Sequence, residues 1–269
     1  MKRAVVLFFL ISLCLTACKT SPKTWIFNKT IAVKNVQPVG ILVENQNIWL
    51  SDAINNRVVK LNMAGEILKE YPNFNRPMHI TLENSQVYVP EYLTDSIKII
   101  SEGNIKSFNL IETPDAPASV AVSGTTLAVA DFYNHRIIVQ QDSTSMSFGK
   151  KGDSDGEFYY PTDVQFFGDL IYVADAYNNR VQVFDKTGKF QKIIGWQDQI
   201  NVASGLYVTE SNIFVCDFEG NRVLIYDLEG SLIQTLSDNL VKPIDVFVSK
   251  KTLYVANYDG SSVAIFKLQ

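Results

Sequence analysis

Histidine is nearly missing from this sequence: His79 and His135 are the only two in 269 residues. A zinc site built on several imidazoles is therefore short of ligands from the start. Cysteine is scarce as well. Of the three, Cys14 lies in an apolar leader and Cys18 closes it, which leaves Cys216 without an internal partner and excludes a disulfide-stapled fold. There is no excess of basic residues. With 24 Lys and Arg against 28 Asp and Glu, a net charge of −4, the chain lacks the basic footprint that neutralises phosphates, and no nucleic-acid partner is expected. A nucleophile elbow, a His/Cys pair and a phosphate-binding loop are all absent, and so is helical periodicity beyond the leader. The composition that remains, 46% hydrophobic and 19% charged, is that of a globular chain able to stabilise itself by burial.

The leader is an address. Lys2 and Arg3 precede an apolar run from Ala4 to Ala17, too short for a spanning helix and suited to a signal peptide. It ends in Leu15-Thr16-Ala17-Cys18, which matches a bacterial lipobox, so residues 1–17 are expected to be a lipoprotein signal peptide. Cys18 is then the lipidation site, carrying diacylglyceryl and palmitate-type chains, and residues 18–23 a short polar tether. The predicted localisation is exported and lipid-anchored to a bacterial membrane. Lys19 stands where an Asp signals inner-membrane retention in Gram-negative lipoproteins, which favours the outer membrane facing the periplasm.

Residues 24–269 repeat. An apolar run, an acidic residue, four loop residues, often an Arg, and a second apolar run recur six times. The acidic position falls at Asp52, Glu91, Asp131, Asp175, Asp217 and, as an amide, Asn257, at intervals of 39, 40, 44, 42 and 40 residues. Five positions later stand Arg57, Ser96, Arg136, Arg180, Arg222 and Ser262, so the second and sixth units are degenerate. The fourth unit shows four strand-like pieces, 163–167, 170–174, 180–184 and 190–195, rich in β-branched and aromatic residues. Four-stranded units of about forty residues are propeller blades. The predicted fold is all-β: a six-bladed β-propeller of four-stranded blades filling 24–269. The last unit stops after its third strand, 262–268, so an N-terminal strand within 24–33 is expected to close the ring in that blade.

Val173-Ala174-Asp175-Ala176-Tyr177-Asn178-Asn179-Arg180 and the stretch 129–136 resemble NHL repeats, and FGKKGDSDGEFYYP (148–161) resembles the glycine-rich connector that this family places between blades. The resemblance covers essentially everything after the leader. It implies the six-bladed fold and little about function, since such propellers host binding proteins and enzymes alike.

Strand parity puts the loops between second and third strands on one face with the blade-to-blade connectors. That face is expected to collect the aromatic residues Tyr92, Phe132, Tyr133, Tyr177, Phe218 and Tyr258, either as a contact surface or as packing against neighbouring blades. The repeated pairs Asp52–Arg57, Asp131–Arg136, Asp175–Arg180 and Asp217–Arg222 read as architecture, because they recur blade after blade. His79, Ser119, Asp163, Ser204 and Asp245 are assigned to the channel mouth on the same face. Asp153 and Asp155 read as turn residues, lacking the ligand spacing of a calcium loop, and Cys216 as a small buried hydrophobe. The expected function is non-catalytic: a membrane-tethered module that binds an envelope protein, peptide or glycan. No cofactor is expected, the one place for a divalent metal being the channel. The alternative is a channel enzyme. Gluconolactonase-type propellers hold a divalent metal with carboxylate and amide ligands, and here His79, Asp163 and Asp245 are the candidates for a metal-dependent lactone hydrolase or lyase. Peptidylglycine amidating lyase holds zinc with several histidines, which two histidines do not supply.

Overall fold

Second strands such as Leu170–Asp175 are apolar nearly end to end, and all but the first residue is buried. A strand covered on both faces reads as a continuous hydrophobic run, and in a propeller the covers are the two neighbouring blades. Fourth strands such as Ile67–Tyr71 face solvent over four of their five residues. The computed structural model describes residues 23–269, arranged as six four-stranded antiparallel sheets. The leader and the lipidation site Cys18 lie outside the described residues. No helix among the described residues is long and apolar enough to cross a membrane.

Blades 1 to 5 span 38–71, 81–108, 117–148, 161–194 and 203–236, each in plain up-and-down order from the inner strand outward. Blade 6 takes three strands from 243–268 and its outermost strand from Trp25–Ala32. That strand pairs antiparallel with Ser262–Leu268, from Trp25 opposite Leu268 to Ala32 opposite Ser262. The ring thus closes as expected, by hydrogen bonding between the two ends of the described chain. The strands of the fourth unit, Pro161–Phe167, Leu170–Asp175, Arg180–Asp185 and Phe190–Ile194, fall within two residues of their sequence-predicted limits.

The core is divided among the six blade interfaces. Blades 3 and 4 are sealed by Phe158, Phe184 and Ile137, blades 5 and 6 by Trp25, Phe214 and Phe266, all buried. The interface between blades 2 and 3 is the smallest, resting on Ile97, Val120, Leu127, Val129 and Ile138. Blade 2 is irregular here: its inner strand is only Thr81–Glu83, and His79 precedes it in an isolated parallel bridge to Ser119 of blade 3.

Candidate functional site

Each blade is organised around its acidic position. Asp52, Asp131, Asp175 and Asp217 are fully buried and accept a hydrogen bond from the Nε of Arg57, Arg136, Arg180 and Arg222 at 2.9, 2.7, 2.9 and 2.7 Å. Their other oxygen accepts a backbone N–H fifteen residues earlier in blade 1 and sixteen in the others, as from Gln37 to Asp52 at 3.2 Å, from Asp115 to Asp131 at 2.7 Å and from Asn201 to Asp217 at 2.8 Å. The arginine continues to the carbonyls of the incoming connector, Arg180 to Ser154 and Glu157 and Arg222 to Asp198 and Gln199. The pair therefore ties hairpin, connector and inner strand together. The two degenerate units solve the same charge problem differently. In blade 2, Ser96 donates to Glu91 and Lys98 supplies the missing cation at 2.9 Å, so that, against the cost of burial, the Glu91 carboxyl is held below its ordinary range. In blade 6 the neutral Asn257 donates to Ser262 at 3.1 Å and needs no cation.

A second repeated bond joins neighbouring blades. The residue before each arginine or serine position has left-handed backbone: Asn56, Asp95, His135, Asn179, Asn221 and Ser261. In five of the six its side chain accepts a backbone N–H of the next connector, from Arg76, Ala116, Tyr160, Val202 and Lys242. His135 is one of these: its Nδ1 accepts from Tyr160 N–H at 3.0 Å, so its proton sits on Nε2. Burial and the Lys151 ammonium hold it below its ordinary pKa, consistent with a neutral structural imidazole.

At the connector end the channel is ringed by one position per blade. Ser119, Asp163 and Asp245 each sit at a β-bulge two residues after the proline that opens the inner strand, and the bulge turns the side chain inward. In blades 1 and 5 the bulge carries Gly40 and Gly205 instead. Ser204, assigned to the channel mouth by sequence, stands one residue before this ring and lines the connector-face basin above it, with its Oγ turned to the carbonyls of Cys216 and Pro243. Glycine is required in both positions. A Cβ on Gly205 would lie 2.4 Å from the Ile244 carbonyl oxygen, and one on Gly40 2.6 Å from the Ile80 nitrogen. Each glycine bulge leaves an N–H pointing into the channel, and the aspartate of the preceding blade accepts it: Leu206 N–H to Asp163 Oδ2 at 2.7 Å and Ile41 N–H to Asp245 Oδ2 at 2.8 Å. The other oxygens take Val164 N–H and Ser119 Oγ–H on Asp163 and Val246 N–H on Asp245.

His79 joins them, 4% exposed, with donor atoms of the three residues within 4.8 Å of one another. Its Nδ1 stands 3.4 Å from Asp245 Oδ2, an ion-pair distance without hydrogen-bond alignment, and is a buried nitrogen with no hydrogen-bond partner. Burial opposes its charge, but Asp245 and Asp163 outweigh it and raise its pKa. Burial first, and then Asp245 against the relief from His79, push the Asp163 carboxyl from 3.8 up to about 6. The donor set is poor in uncommitted ligand atoms for a divalent ion. All four carboxylate oxygens already hold an N–H or O–H, and His79 brings the only imidazole among the three side chains. The triad also lies deeper than a mouth. It lines a cavity of about 260 Å³ that runs down the inner strands to Leu82, Phe166 and Phe247, away from the connector face.

On the connector face itself a separate basin of about 600 Å³ opens above the inner strands. Phe132, Tyr177, Phe218 and Tyr258 line it, as do Ile54 and Leu93, which sequence reasoning missed. Those two stand two residues after the acidic position, in the same repeat column as Tyr133 and Tyr177. Aligning the six units by column would have found them. All four are exposed, Ile54 at 64% and Leu93 at 63%. Tyr92 and Tyr133 belong to a ring cluster beside the basin. Their hydroxyls meet at 2.6 Å, and Phe132 stacks on Tyr160 with centroids 4.7 Å apart. Phe218 and Tyr258 form a separate edge-to-face pair at 5.8 Å.

Comparison with known proteins agrees with this architecture. A family model described as "6-bladed beta-propeller" matches residues 152–264. The chain is 34% identical over 116 residues to the human E3 ubiquitin-protein ligase NHLRC1, covering 40% of this chain and 29% of that protein. It is 24% identical over 159 residues to the Drosophila melanogaster protein brain tumor, covering 56% of this chain and 15% of the other. The chain thus spans well under a third of either relative. Among solved structures, virginiamycin B lyase from Staphylococcus aureus superposes with a TM-score of 0.67 at 14% identity, covering 92% of this chain and all of that one, a likeness of fold alone. The repeat, the six closed sheets and these matches make this chain a six-bladed β-propeller whose repeats are similar to those of NHL-repeat proteins.

Proposed function

We propose that the protein is a membrane-tethered, non-catalytic binding module whose connector face receives a protein, peptide or glycan of the cell envelope. The observation that carries this is the basin with its exposed apolar rim of Ile54, Leu93, Tyr133 and Tyr177, set above a channel whose carboxylates are engaged in holding blades together. Concave, mostly apolar sites with few polar groups are where ligands bind, and contiguous exposed apolar residues mark contact surfaces. The lipobox ending in Cys18 supports lipid anchoring in a bacterial membrane, with Lys19 favouring the outer membrane. Replacing Tyr133 and Tyr177 together by Ala should reduce partner recovery in crosslinking on cells at least severalfold; unchanged recovery sinks the assignment of this face. The competing reading, a metal-dependent hydrolase or lyase using His79, Asp163 and Asp245, predicts about one tightly held divalent ion per chain. Elemental mass spectrometry of the purified chain, dialysed without chelator, should instead find metal far below one per chain.

A further inference from the structure

The described residues contain five arginines, and four of them are the blade staples Arg57, Arg136, Arg180 and Arg222, each bound to a buried carboxylate. The fifth, Arg76, has no such partner among the described residues: its guanidinium makes neither a salt bridge nor a hydrogen bond. It is the one charged side chain lining the connector-face basin. Its place is held from two sides. The backbone N–H is fixed by Asn56 Oδ1 at 2.8 Å, and the guanidinium lies 4.5 Å from the ring centroid of Tyr92. Stacking of this kind holds one face of the guanidinium and leaves its edge of N–H donors free, the arrangement that recognises a carboxylate in two-pronged fashion.

The repeat shows that Arg76 is not architecture. The same connector position holds Ala116, Tyr160, Val202 and Lys242 in blades 3 to 6, and what all five share is the backbone bond and left-handed φ. Lys242 is the other cation in this column, and it is paired with Glu219. The rim is polarised accordingly. Its repeat column reads Ile54, Leu93, Tyr133 and Tyr177 over blades 1 to 4, then Glu219 and Asp259 over blades 5 and 6. An anion is attracted to the blade 2 side, where Arg76 is unpaired, while the apolar arc continues beyond the basin to the exposed Tyr133.

We infer that the basin takes a peptide segment whose apolar side chains fill it and whose carboxylate is held by Arg76. This rests on the reading of the connector face as the binding surface and names the chemistry it selects. The full chain in lipid nanodiscs should bind a fluorescein-Gly-Gly-Leu-Phe-Leu peptide with a free carboxyl terminus saturably, with empty nanodiscs as reference. The C-terminal amide of the same peptide should bind about 10- to 100-fold more weakly, the loss expected when a charge-assisted contact is removed. Arg76→Gln should lose the preference for acid over amide, and Arg76→Lys should keep part of it, both with an unchanged thermal midpoint because Arg76 is exposed. Equal binding of acid and amide, or an undiminished preference in Arg76→Gln, overturns the inference. So does competition by free 4-phenylbutanoate at the peptide's own concentration, which would make the occupant a small acid. Crosslinking on cells separates the two levels. If Tyr133→Ala/Tyr177→Ala loses the partner and Arg76→Gln does not, the carboxylate assignment alone fails; if neither variant alters recovery, the binding face fails with it.

Discussion

At the scale of single residues, the blades show three ways to bury an anchor for a hairpin: Asp with Arg, Glu91 with Ser96 and Lys98, and the uncharged Asn257 with Ser262. Removing one partner of a buried pair leaves an uncompensated charge, whereas replacing both can be nearly neutral. Arg180→Ser should therefore cost about 3–5 kcal/mol in urea unfolding. Adding Asp175→Asn, which copies the solution of blade 6, should restore at least half of that loss. A double variant no more stable than the single one would show that Asp175 needs no counter-charge. Asp163 titrates in the opposite sense from an ordinary surface carboxylate. Asp163 is raised from 3.8 to about 6, so its contribution to stability is complete below about pH 4 and is lost as pH rises through about 6. His79, also raised, loses its contribution above that window. Asp163→Asn removes the first titration while breaking hydrogen bonds at every pH. Its deficit against the natural protein should therefore narrow between pH 4 and 6 in chemical unfolding, and parallel profiles would contradict the assignment.

At the scale of elements, the inner-strand bulge is the device that makes a channel lining. It turns Ser119, Asp163 and Asp245 inward, and in blades 1 and 5 it exposes N–H groups that the neighbouring aspartates accept. A bulge costs a ladder bond, and here the blade before it supplies the replacement. The connector staples follow the same logic, with a left-handed residue whose side chain reaches the next blade. Asn221 has φ 52° and accepts from Lys242 N–H at 2.8 Å. Asn221→Gly keeps the backbone and loses the bond, for about 1 kcal/mol. Asn221→Ala adds the left-handed strain and should cost about 2–3 kcal/mol in the same assay. The order of the two variants is the test; Ala no worse than Gly would mean that the turn relaxes without penalty.

At the scale of the molecule, closure and orientation come from one strand. Trp25–Ala32 covers the edge of Ser262–Leu268, and Gln234 brackets its start by hydrogen bonds to the nitrogen and carbonyl of Trp25. Deleting residues 25–32 exposes a full-length edge together with the apolar surface under Trp25. The expected outcome is association on size-exclusion chromatography and a sharply lower unfolding midpoint; a stable monomer would show that three strands suffice. The direction of that strand also matters. Trp25 lies opposite Leu268, whose N–H bonds to Lys251 in a turn on the far face, and Ala32 lies toward the connector side. The described chain therefore starts on the face opposite the basin.

Much of this was legible in one dimension because a propeller is nearly a one-dimensional object. Each unit of about forty residues folds against its immediate neighbours, so the period, the acidic column and the strand lengths could be read by aligning the chain with itself. The missing fourth strand of the last unit pointed to closure for the same reason: an unpaired edge needs a partner. What repeats is architecture, and repetition is visible in sequence. The site lies in what does not repeat. Ile54 and Leu93 looked like ordinary apolar residues until the ring brought them beside Tyr177 around one basin, and Arg76 became distinctive only when the other described arginines were seen to be paired. The sequence likewise set His79, Asp163 and Asp245 at the channel mouth, but a bulge of one residue decides that the side chains of Asp163 and Asp245 enter the channel, at what depth, and which N–H groups they hold. Local pattern determined the blades; the contents of the basin and channel were decided by six distant segments converging on one axis, which is a property of the closed ring alone.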